Sequence, residues 1–418
     1  MRLLGSHSLF TNARNNFGNL TEYSRRDLNR QRLANLGVAF AHDEGITGGG
    51  PGKKTTIHER LNLFDSSLPR EAAKAIPLDW YKDLEIYKAE CQVFRQNWIA
   101  VGRTGEVDTL RSYFQLNIAE EPVLVLRDTN NALQAFSNVC RHRATLLLTD
   151  AHGTLPGERV KCRYHGWEYD LSGCLRRAPE LGKVNDFSPA ENGLPRFETA
   201  TWGPLVFLHM QPGADSLPST LEPLIQRTKD IDLSSLQWGG RTEYEVACNW
   251  KVYVDNYLDG GYHVKEVHPK LAEVLDDENY QTEVFERSSL QHSPIKATGD
   301  PSATVRQGSE AMYWWIFPNV MINIYKGVMD TNIVIPLGPD KCKVIFDFYF
   351  DKEWKPSDIK TYIEGAHQVQ LEDMEVCEDV QKGLKSHFSK SGPYAKREEG
   401  ELHFHKLLAQ QLKAVTAV

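Results

Sequence analysis

The stretch DNYLDGGYHVKEVHP, from Asp255 to Pro269, places two histidines five residues apart behind two carboxylates and a double glycine. Residues i and i+5 of a regular α-helix are separated by about 140° around its axis. His263 and His268 therefore cannot both reach one metal ion from an uninterrupted helix. Because Pro269 disfavours the helical conformation of the residue before it, His268 can turn back toward His263 from a broken helix end. The stretch predicts two ligands of one metal site, with two surface histidines in a polar turn as the alternative.

Two carboxylates precede the first of these histidines. Asp255, Asp259 and His263 stand at positions i, i+4 and i+8, which share one face of a helix. Asp259 can accept a hydrogen bond from the ring nitrogen of His263 that does not bind metal, as metal-bound histidines usually require. We expect Gly260 and Gly261 to supply the backbone freedom that this arrangement needs.

A third ligand comes from the helical pattern PSDIKTYIEGAHQVQLEDMEVCEDVQKGLKSHF, which begins at Pro356. Counted from Asp373, apolar residues stand at i+3, i+4, i+7 and i+11, which places Asp373 on the buried face of the helix. A buried carboxylate must be paired or bound to a metal, and a salt bridge to a buried arginine is the alternative. Together with His263 and His268, Asp373 forms a two-histidine, one-carboxylate set that leaves open positions on Fe(II) for dioxygen.

A region of short strand-like runs lies between Trp98 and Met210. The runs YFQLNI, PVLVLRD, LQAFSNV, RVKCRYHGWEYDL and PLVFLHM are separated by turn residues, which predicts a small all-β domain. After this domain the pattern becomes mixed, with aromatic strand-like runs from Ala311 and Lys343 and the helical segment from Pro356.

Two turns of the β region each offer one thiolate and one imidazole. CRH supplies Cys140 and His142, and CRYH supplies Cys162 and His165. This set matches a [2Fe–2S] cluster with both cysteines on one iron and both histidines on the other, which is Rieske ligation. The alternative is a structural Cys2His2 zinc site, although a zinc finger normally places both cysteines on one hairpin and both histidines on a following helix. Cys174, in a separate turn, is predicted to pack rather than to bind metal.

The composition of the chain limits the class of protein to which it can belong. The chain has 418 residues, 41% hydrophobic and 25% charged, as is ordinary for a globular protein of two or three domains. A net charge of −8 argues against a nucleic-acid partner. The longest apolar runs, of the kind GPLVFL near Leu205, fall far short of the roughly eighteen residues of a membrane span. Seven scattered cysteines do not form a disulfide pattern, so we expect a reducing compartment and a cytoplasmic protein.

Residues 1–75 are interpreted as an N-terminal extension with a glycine-rich linker, GITGGGPGKK. The first twenty-one residues contain no acid, as in an organelle transit peptide, which would place the protein in the plastid stroma. A basic helical arm around Asp27–Leu36 is the alternative. From Ile76, the alternation of aromatic and charged residues predicts an amphipathic helix that leads into a strand.

From about Ile76 to the C-terminus the chain resembles the α subunits of Rieske non-haem iron oxygenases. CRH with CRYHGW matches the Rieske motif, and DNYLDGGYHVKEVHP matches the mononuclear-iron motif. WWIFPNVMINIY and QLEDMEVCEDVQKGL are similar to the branch that contains choline monooxygenase and the glycine betaine and related quaternary-amine oxygenases.

The resemblance implies an α+β fold. An all-β Rieske [2Fe–2S] domain, residues 97–210, would be inserted into a helix-grip (START-like) catalytic domain with an antiparallel sheet, residues 211–418, whose lead-in helix is 76–96. It also implies a head-to-tail homotrimer in which each cluster serves the iron of the neighbouring subunit across a bridging carboxylate. Electrons would come from a ferredoxin or a flavin reductase.

Two departures from the family pattern affect these expectations. The bridging acid of ring-hydroxylating members stands three residues before the first histidine, where this chain has Gly260. We assign the bridge to Asp259, with Asp255 and Glu266 as alternatives, and include Asn256 as a second catalytic candidate. The interval of nineteen residues between the two Rieske motifs is longer than is usual in this branch, which we expect to lengthen a hairpin tip.

The substrate prediction concerns aromatic residues. A quaternary ammonium group makes no conventional hydrogen bond and is held best over aromatic faces, at about 0.5–2 kcal/mol per contact. Tyr313, Trp315 and Phe317 alternate onto one face of a strand, with Tyr325 on the next candidate strand. We predict that they form a cage for the substrate, with simple core packing as the alternative.

The resemblance implies a monooxygenase that uses dioxygen to hydroxylate choline to betaine aldehyde hydrate. Demethylation of glycine betaine or a related N-methyl compound is one alternative, and an aromatic ring-hydroxylating dioxygenase is another. A Rieske electron carrier without catalysis would need only the β domain. A zinc-stapled binding protein would be colourless. No nucleic acid and no membrane is expected among the partners.

Overall fold

The computed structural model describes residues 55–274, 276–295 and 310–417. The predictions made for residues 1–54, including the transit peptide, the basic arm and the linker, lie outside this range. Among the described residues, none of the helices is both long and apolar enough to cross a bilayer.

The α-helices vary from a single turn to nearly eight turns. In chain order they are α1 (Ile57–Leu61), α2 (Leu84–Arg95), α3 (Leu217–Thr220), α4 (Glu222–Thr228), α5 (Trp250–Leu258), α6 (Val264–Val267), α7 (Pro269–Val274), α8 (Pro356–Gly383) and α9 (Glu399–Thr416). Short 3₁₀ turns occupy Leu78–Tyr81, Thr104–Glu106, Leu233–Ser235 and Asp277–Asn279.

The strands fall into two groups along the chain. The first group is β1 (Ile99–Arg103), β2 (Ser112–Ile118), β3 (Glu121–Arg127), β4 (Leu133–Ser137), β5 (His152–Thr154), β6 (Arg159–Lys161), β7 (Glu168–Asp170), β8 (Leu175–Arg177), β9 (Arg196–Trp202) and β10 (Leu205–His209). The second group is β11 (Gln237–Val246), β12 (Gln281–Phe285), β13 (Ser288–Pro294), β14 (Glu310–Ile316), β15 (Val320–Tyr325), β16 (Val328–Gly338) and β17 (Lys341–Phe350).

The first group builds a small all-β unit, as the alternating runs predict. A seven-stranded antiparallel sheet has the order β1-β10-β9-β4-β3-β2-β5, and a three-stranded sheet has the order β6-β7-β8. Its entry point is α2, whose N-cap Asp83 accepts hydrogen bonds from the amides of Glu85 and Ile86. The helix followed by a strand that the sequence predicts from Ile76 is therefore present.

The second group forms one seven-stranded antiparallel sheet with the order β11-β17-β16-β15-β14-β13-β12. Helices α5, α8 and α9 pack against this sheet, and α2 packs against α9. Because α2 belongs to this helical layer while β1 begins the smaller sheet, the β unit is an insertion into the larger one. The α+β class, the antiparallel sheet and the inserted β unit agree with the sequence prediction.

Three ion pairs, made by Lys251 and Arg241, fix the elements that carry the site. Nζ of Lys251, at the start of α5, lies 2.5 Å from Oε1 of Glu90 on α2, and both side chains are fully buried. Arg241 on β11 donates to Glu106, at the beginning of the β unit, over 2.7 Å, and to Asp347 on β17 over 2.7 Å. The pair between Arg241 and Glu106 connects the inserted unit to the larger sheet.

Candidate metal centres and the cavity between helices and sheet

The backbone between α5 and α6 changes direction at two glycines. Helix α5 ends at Leu258, and Gly260 and Gly261 both have positive φ, +72° and +70°. A Cβ at Gly260 would collide with the backbone carbonyl of Arg397. The prediction that Asp255, Asp259 and His263 share one helical face is therefore wrong, because the helix stops before the histidine.

Asp259 nevertheless contacts His263 through this turn. Nδ1 of His263 donates to Oδ2 of Asp259 over 2.6 Å, and the amide of His263 donates to the same oxygen over 2.9 Å. The amide of Tyr262 donates to the other carboxylate oxygen over 3.1 Å. Three donors thus fix the carboxylate and leave Nε2 of His263 directed elsewhere.

His268 lies between α6 and α7, immediately before Pro269, as the proline predicts. Its Nδ1 donates to Oε2 of Glu372 over 2.7 Å, and its Nε2 lies 2.9 Å from Oδ1 of Asp373. Nε2 of His263 lies 3.5 Å from the same Asp373 oxygen. The structure therefore brings His263, His268 and Asp373 together, with donor atoms within 4.8 Å of one another.

The chemistry of these three donors fits a mononuclear metal ion. Each imidazole uses Nδ1 for a carboxylate that orients it, and both Nε2 atoms face Asp373. Burial opposes the charge on His263, but hydrogen bonds to Asp259 and Asp373 outweigh it and raise the pKa of His263 to about 10. Burial likewise opposes ionisation of Asp373, while the two histidines outweigh it and lower the pKa of Asp373. A metal ion would displace the protons that this set otherwise holds.

Asn256 lies on the last turn of α5 and donates from Nδ2 to Oδ1 of Asp373 over 3.1 Å. The two alternatives to Asp259 lie elsewhere. Asp255 accepts hydrogen bonds from the hydroxyl of Tyr81 over 2.7 Å and from Nε2 of His405 over 3.0 Å. Glu266 is exposed on α6. Of the three candidate acids, Asp259 is the one that contacts a histidine of the metal set.

The two cysteine–histidine turns of the β unit have the same local geometry. The amide of Cys140 donates to the carbonyl of Thr145, and the amide of Cys162 donates to the carbonyl of Trp167. In each turn the fourth residue after the cysteine donates back to the cysteine carbonyl and has positive φ, at Ala144 and Gly166. The two turns therefore share a backbone geometry, with the histidine two residues after the cysteine in the first turn and three residues after it in the second.

The side chains of these turns meet at the edge of the unit. The ring centroids of His142 and His165 are 4.6 Å apart, and His142 stacks on Trp167 at 4.9 Å. Both cysteines are buried and free, and burial raises the pKa of the Cys140 thiol. His165 is exposed.

The four donors of the β unit also fit the [2Fe–2S] cluster that their motif predicts. Nδ1 of His142 is buried without a hydrogen-bond partner, which is costly unless the nitrogen binds a metal. Two groups of three donors that could hold a single ion occur among the described residues, and the Cys2His2 set is in neither of them. The four donors do not converge on the position of one ion. Two irons, with the cysteines on one and the histidines on the other, therefore account for the set better than one tetrahedral zinc ion. Cys174 is exposed, so the prediction that it packs is wrong, and its Sγ lies 3.5 Å from the hydroxyl of Ser172.

A cavity opens beside His263, His268 and Asp373, between α5, α8 and the large sheet, and encloses about 860 Å³ of empty space including its mouth. Its wall includes Asn256, Asp259 and the metal set. The aromatic residues of the wall are Tyr253, Tyr257, Tyr280, Tyr313, Phe346 and Tyr362.

The predicted aromatic cage is only partly present. Tyr313 lines the cavity, with its ring stacked on Tyr280 at a centroid distance of 6.4 Å, and Tyr325 packs edge-on with Tyr313 at 5.9 Å but is not part of the cavity wall. Trp315 and Phe317 are 0% and 2% exposed and lie outside the cavity. Trp315 packs on Phe404 of α9 and on Phe317, because α9 covers this end of the sheet. Their placement in a cage is corrected to core packing.

Several residues of the site were not found by sequence reasoning. Glu372 stands next to Asp373 on α8 and accepts from Nδ1 of His268 over 2.7 Å. Tyr257 and Tyr280 lie in segments without strong periodicity. A signal did exist for Asp330, which is a single charged residue in the otherwise apolar and neutral run VMDTNIVIP of β16. An acid in a fully buried strand indicates a specific partner.

Comparison with known families and structures gives consistent results. Residues 97–188 match the Rieske [2Fe-2S] domain, and residues 233–414 match the catalytic domain of the ring hydroxylating alpha subunit. The chain is 39% identical to the chloroplastic choline monooxygenase of Arabidopsis thaliana, over 85% of this chain and 87% of that protein. It is 29% identical to the carnitine monooxygenase oxygenase subunit of Escherichia coli K12, over 82% of this chain and 95% of that protein.

A solved structure has the same architecture. The quaternary ammonium Rieske monooxygenase CntA in complex with its substrate L-carnitine matches with a TM-score of 0.70 and 26% identity, over 82% of this chain and 99% of that chain.

Proposed function

The chain belongs to the Rieske non-haem iron monooxygenases, the family of choline and carnitine monooxygenase, and on this premise we propose that it hydroxylates choline. The proposed reaction consumes choline, dioxygen, two electrons and two protons, and yields betaine aldehyde hydrate and water. Demethylation of glycine betaine or a related compound would use the same site. Turnover of an arene to a cis-diol would instead identify a ring-hydroxylating dioxygenase.

The cofactors are a Rieske [2Fe–2S] cluster and a mononuclear iron. The residues that would hold the cluster are Cys140, His142, Cys162 and His165, and those that would hold the iron are His263, His268 and Asp373. When bound, the cluster supplies single electrons and the iron supplies the activation of dioxygen.

The surrounding residues orient the ligands. Asp259 and Glu372 each accept a proton-bearing Nδ1, which fixes the tautomer of His263 and His268 and leaves Nε2 for the metal. Asn256 donates to one oxygen of Asp373, which restricts rotation of that carboxylate. These contacts support the assignment of Asp259 and Asn256 to the catalytic machinery.

The observation that carries the substrate proposal is the aromatic wall of the cavity beside the metal set. Tyr257, Tyr280, Tyr313 and Tyr362 surround the space in which a trimethylammonium group would sit. With the ammonium against these rings, the hydroxymethyl carbon would face the metal set. The higher identity to the Arabidopsis protein, which is named for choline, favours choline over carnitine.

The partners follow from the same premise. Rieske oxygenases take electrons from a ferredoxin or a reductase, and we propose one of these as the donor. A head-to-tail homotrimer would bring the cluster of one subunit to Asp259 of the next. A plastid location is proposed from the chloroplastic relatives, and import with cleavage of the N-terminus would test it.

The experiment that tests the proposal combines metal analysis with turnover. The purified protein should contain three irons per chain and show the red-brown colour of a Rieske cluster. With a reductase, oxygen uptake should be coupled to product from choline, and less so from glycine betaine, carnitine or an arene. A colourless protein that contains zinc would contradict the cofactor assignment, and coupled turnover of the arene alone would contradict the substrate assignment.

A further inference from the structure

Helix α8 supplies one wall of the cavity beside the metal set. The residues of this helix that line the cavity are Tyr362, Ala366, Val369, Gln370 and Asp373. Their spacing is that of one face of a helix. Gln370 therefore lies one turn before Asp373, on the same face as this proposed metal ligand.

The side-chain amide of Gln370 has a partner at one end and none at the other. The residue is 3% exposed, and its Oε1 accepts a hydrogen bond from the hydroxyl of Tyr253 on α5 over 2.8 Å. Its Nε2 is buried and has no hydrogen-bond partner. The contact with Tyr253 fixes the orientation of the amide and leaves both N–H bonds of Nε2 available.

This pattern distinguishes Gln370 from the rest of the wall. Among the described residues that line the cavity, Gln370 is the one whose side chain has a buried nitrogen or oxygen without a partner. A buried donor without an acceptor is costly. In a cavity wall, such a group indicates that a ligand or an ordered water supplies the acceptor.

The position of Gln370 fits the oxygen atom of choline. The trimethylammonium end of choline makes no conventional hydrogen bond, so the hydroxyl oxygen is the one acceptor of the molecule. Tyr257 on α5 and Tyr313 on β14 border the same cavity and offer aromatic faces to the ammonium group. A hydroxyl bound by Nε2 of Gln370 would lie one helical turn from Asp373, with the carbon that bears it beside the metal set.

We propose that Nε2 of Gln370 donates a hydrogen bond to the hydroxyl oxygen of choline and thereby holds the hydroxymethyl carbon, rather than an N-methyl carbon, beside the metal set. The inference rests on the proposed function of the same site and names a further substrate-binding residue for it. Aromatic contacts alone do not select between the two kinds of carbon, because a trimethylammonium group can rotate against the rings.

The test compares two cations that differ only in the hydroxyl group. Binding of choline and of ethyltrimethylammonium is measured by anaerobic calorimetry on the iron-loaded protein and on Gln370→Met, which keeps the length of the side chain but cannot donate. The unmodified protein should bind choline about 5- to 20-fold more tightly, and the variant should show less than about a twofold difference. Equal binding of the two cations by the unmodified protein would overturn the proposal, and so would an unchanged preference in Gln370→Met. Either result would leave a water as the partner of Nε2.

Gln381 provides a matched control on the same helix. It is also 3% exposed, its Oε1 accepts from the amide of Asn249 over 2.8 Å, and its Nε2 has no partner. Gln381 is not part of the cavity wall. Gln381→Met therefore removes an equivalent amide and should leave the preference for choline unchanged. Loss of the preference in this variant too would count against a direct contact between Gln370 and the hydroxyl.

The products of turnover give a second readout. Oxidation of an N-methyl carbon of choline by dioxygen, two electrons and two protons would yield formaldehyde, protonated dimethylaminoethanol and water. With a reductase, Gln370→Met should raise the ratio of formaldehyde to betaine aldehyde at least about threefold, because the hydroxymethyl carbon is no longer held in place. An unchanged product ratio would contradict the positioning role.

The inference and the proposed function fail separately. If the protein forms betaine aldehyde but its preference for choline does not depend on Gln370, the inference is wrong and the proposed function stands. If the preference depends on Gln370 but no product forms from choline, the proposed function is wrong and the contact between Gln370 and the hydroxyl stands.

Discussion

Nδ1 of His263 donates to Oδ2 of Asp259 over 2.6 Å, across a turn that two positive-φ glycines form directly after helix α5. The carboxylate therefore reaches the histidine although the two residues do not share a helix.

Removal of this carboxylate should lower activity without removing the cluster. We expect Asp259→Ala to reduce kcat about 10- to 100-fold, because Nδ1 of His263 loses the acceptor that orients the ring. The visible spectrum of the [2Fe–2S] cluster should be unchanged. Glu266→Gln removes an exposed acid of the same segment and should retain activity. Retained activity in Asp259→Ala together with lost activity in Glu266→Gln would assign the bridging role to Glu266 instead.

Asp373→Ala should abolish turnover and mononuclear iron while the cluster remains. The reason is that Asp373 is the carboxylate that both Nε2 atoms face. Metal analysis should fall from three irons per chain to two. Glu375→Ala, an exposed acid of the same helix, is the control and should keep all three. Retained activity in Asp373→Ala would remove it from the ligand set.

Arg241→Met should destabilise the junction between the inserted β unit and the large sheet by about 3–5 kcal/mol, because Glu106 loses its bidentate cation and Asp347 keeps only the longer ion pair with Arg103 at 3.6 Å. The loss of stability is measured as the change in the free energy of unfolding, obtained by urea titration. Lys341→Met breaks an exposed ion pair with Glu245 between the same two strands and should cost at most about 1 kcal/mol. Equal losses of unfolding free energy in the two variants would show that Arg241 contributes no more to stability than an exposed ion pair does.

The same junction predicts a pH dependence. Burial alone would raise the pKa of Glu106, but hydrogen bonds from Arg241, the backbone of Arg103 and His152 outweigh it and lower that pKa. The stabilisation is therefore complete above the unfolded pKa, about 4.3, and is lost as the pH falls through the lower folded value. Unfolding measured between pH 3 and pH 7 should show this loss in the wild type and a flatter profile in Arg241→Met. If the free energy of unfolding varied with pH in the same way in both proteins, this pH dependence of the junction would be wrong.

Two aromatic substitutions on one strand should have different consequences. Trp315→Ala should lower stability by about 3–5 kcal/mol, because the indole is fully buried against Phe404. Tyr313→Ala should mainly raise the KM for choline, because the ring borders the cavity. Thermal unfolding and steady-state kinetics on both variants distinguish the two roles. A raised KM with unchanged stability in Trp315→Ala would restore the cage as first predicted.

The sequence predicted the elements whose pattern is local. The small all-β region and the long helix from Pro356 follow from periodicity, whereas the insertion, the antiparallel sheet and the family follow from the resemblance of two motifs. Residue spacing also identified His263, His268 and Asp373, which the structure brings to one point although Asp373 stands more than a hundred positions after the histidines. Residue alternation could not distinguish Tyr313 from Trp315, because it specifies the face of a strand but not where along the sheet a helix covers that face.

Asp330 and Glu372 were missed for a related reason. Their roles depend on partners from other elements, Asn323 and Tyr362 in one case and His268 in the other. Such partners are fixed by the register of the strands and the position of α8 across the sheet. Neither the strand register nor the position of α8 can be predicted from a single segment of sequence.

The most direct test of the central claim is a single turnover by the chemically reduced, iron-loaded protein, exposed to dioxygen in the presence of choline and without any reductase. Product is quantified by mass spectrometry against the mononuclear iron content, with Asp373→Ala as the blank. We predict betaine aldehyde in an amount that approaches one per mononuclear iron, and none from the variant. Reoxidation of the cluster without any product from choline, in protein that contains both cofactors, would contradict the account.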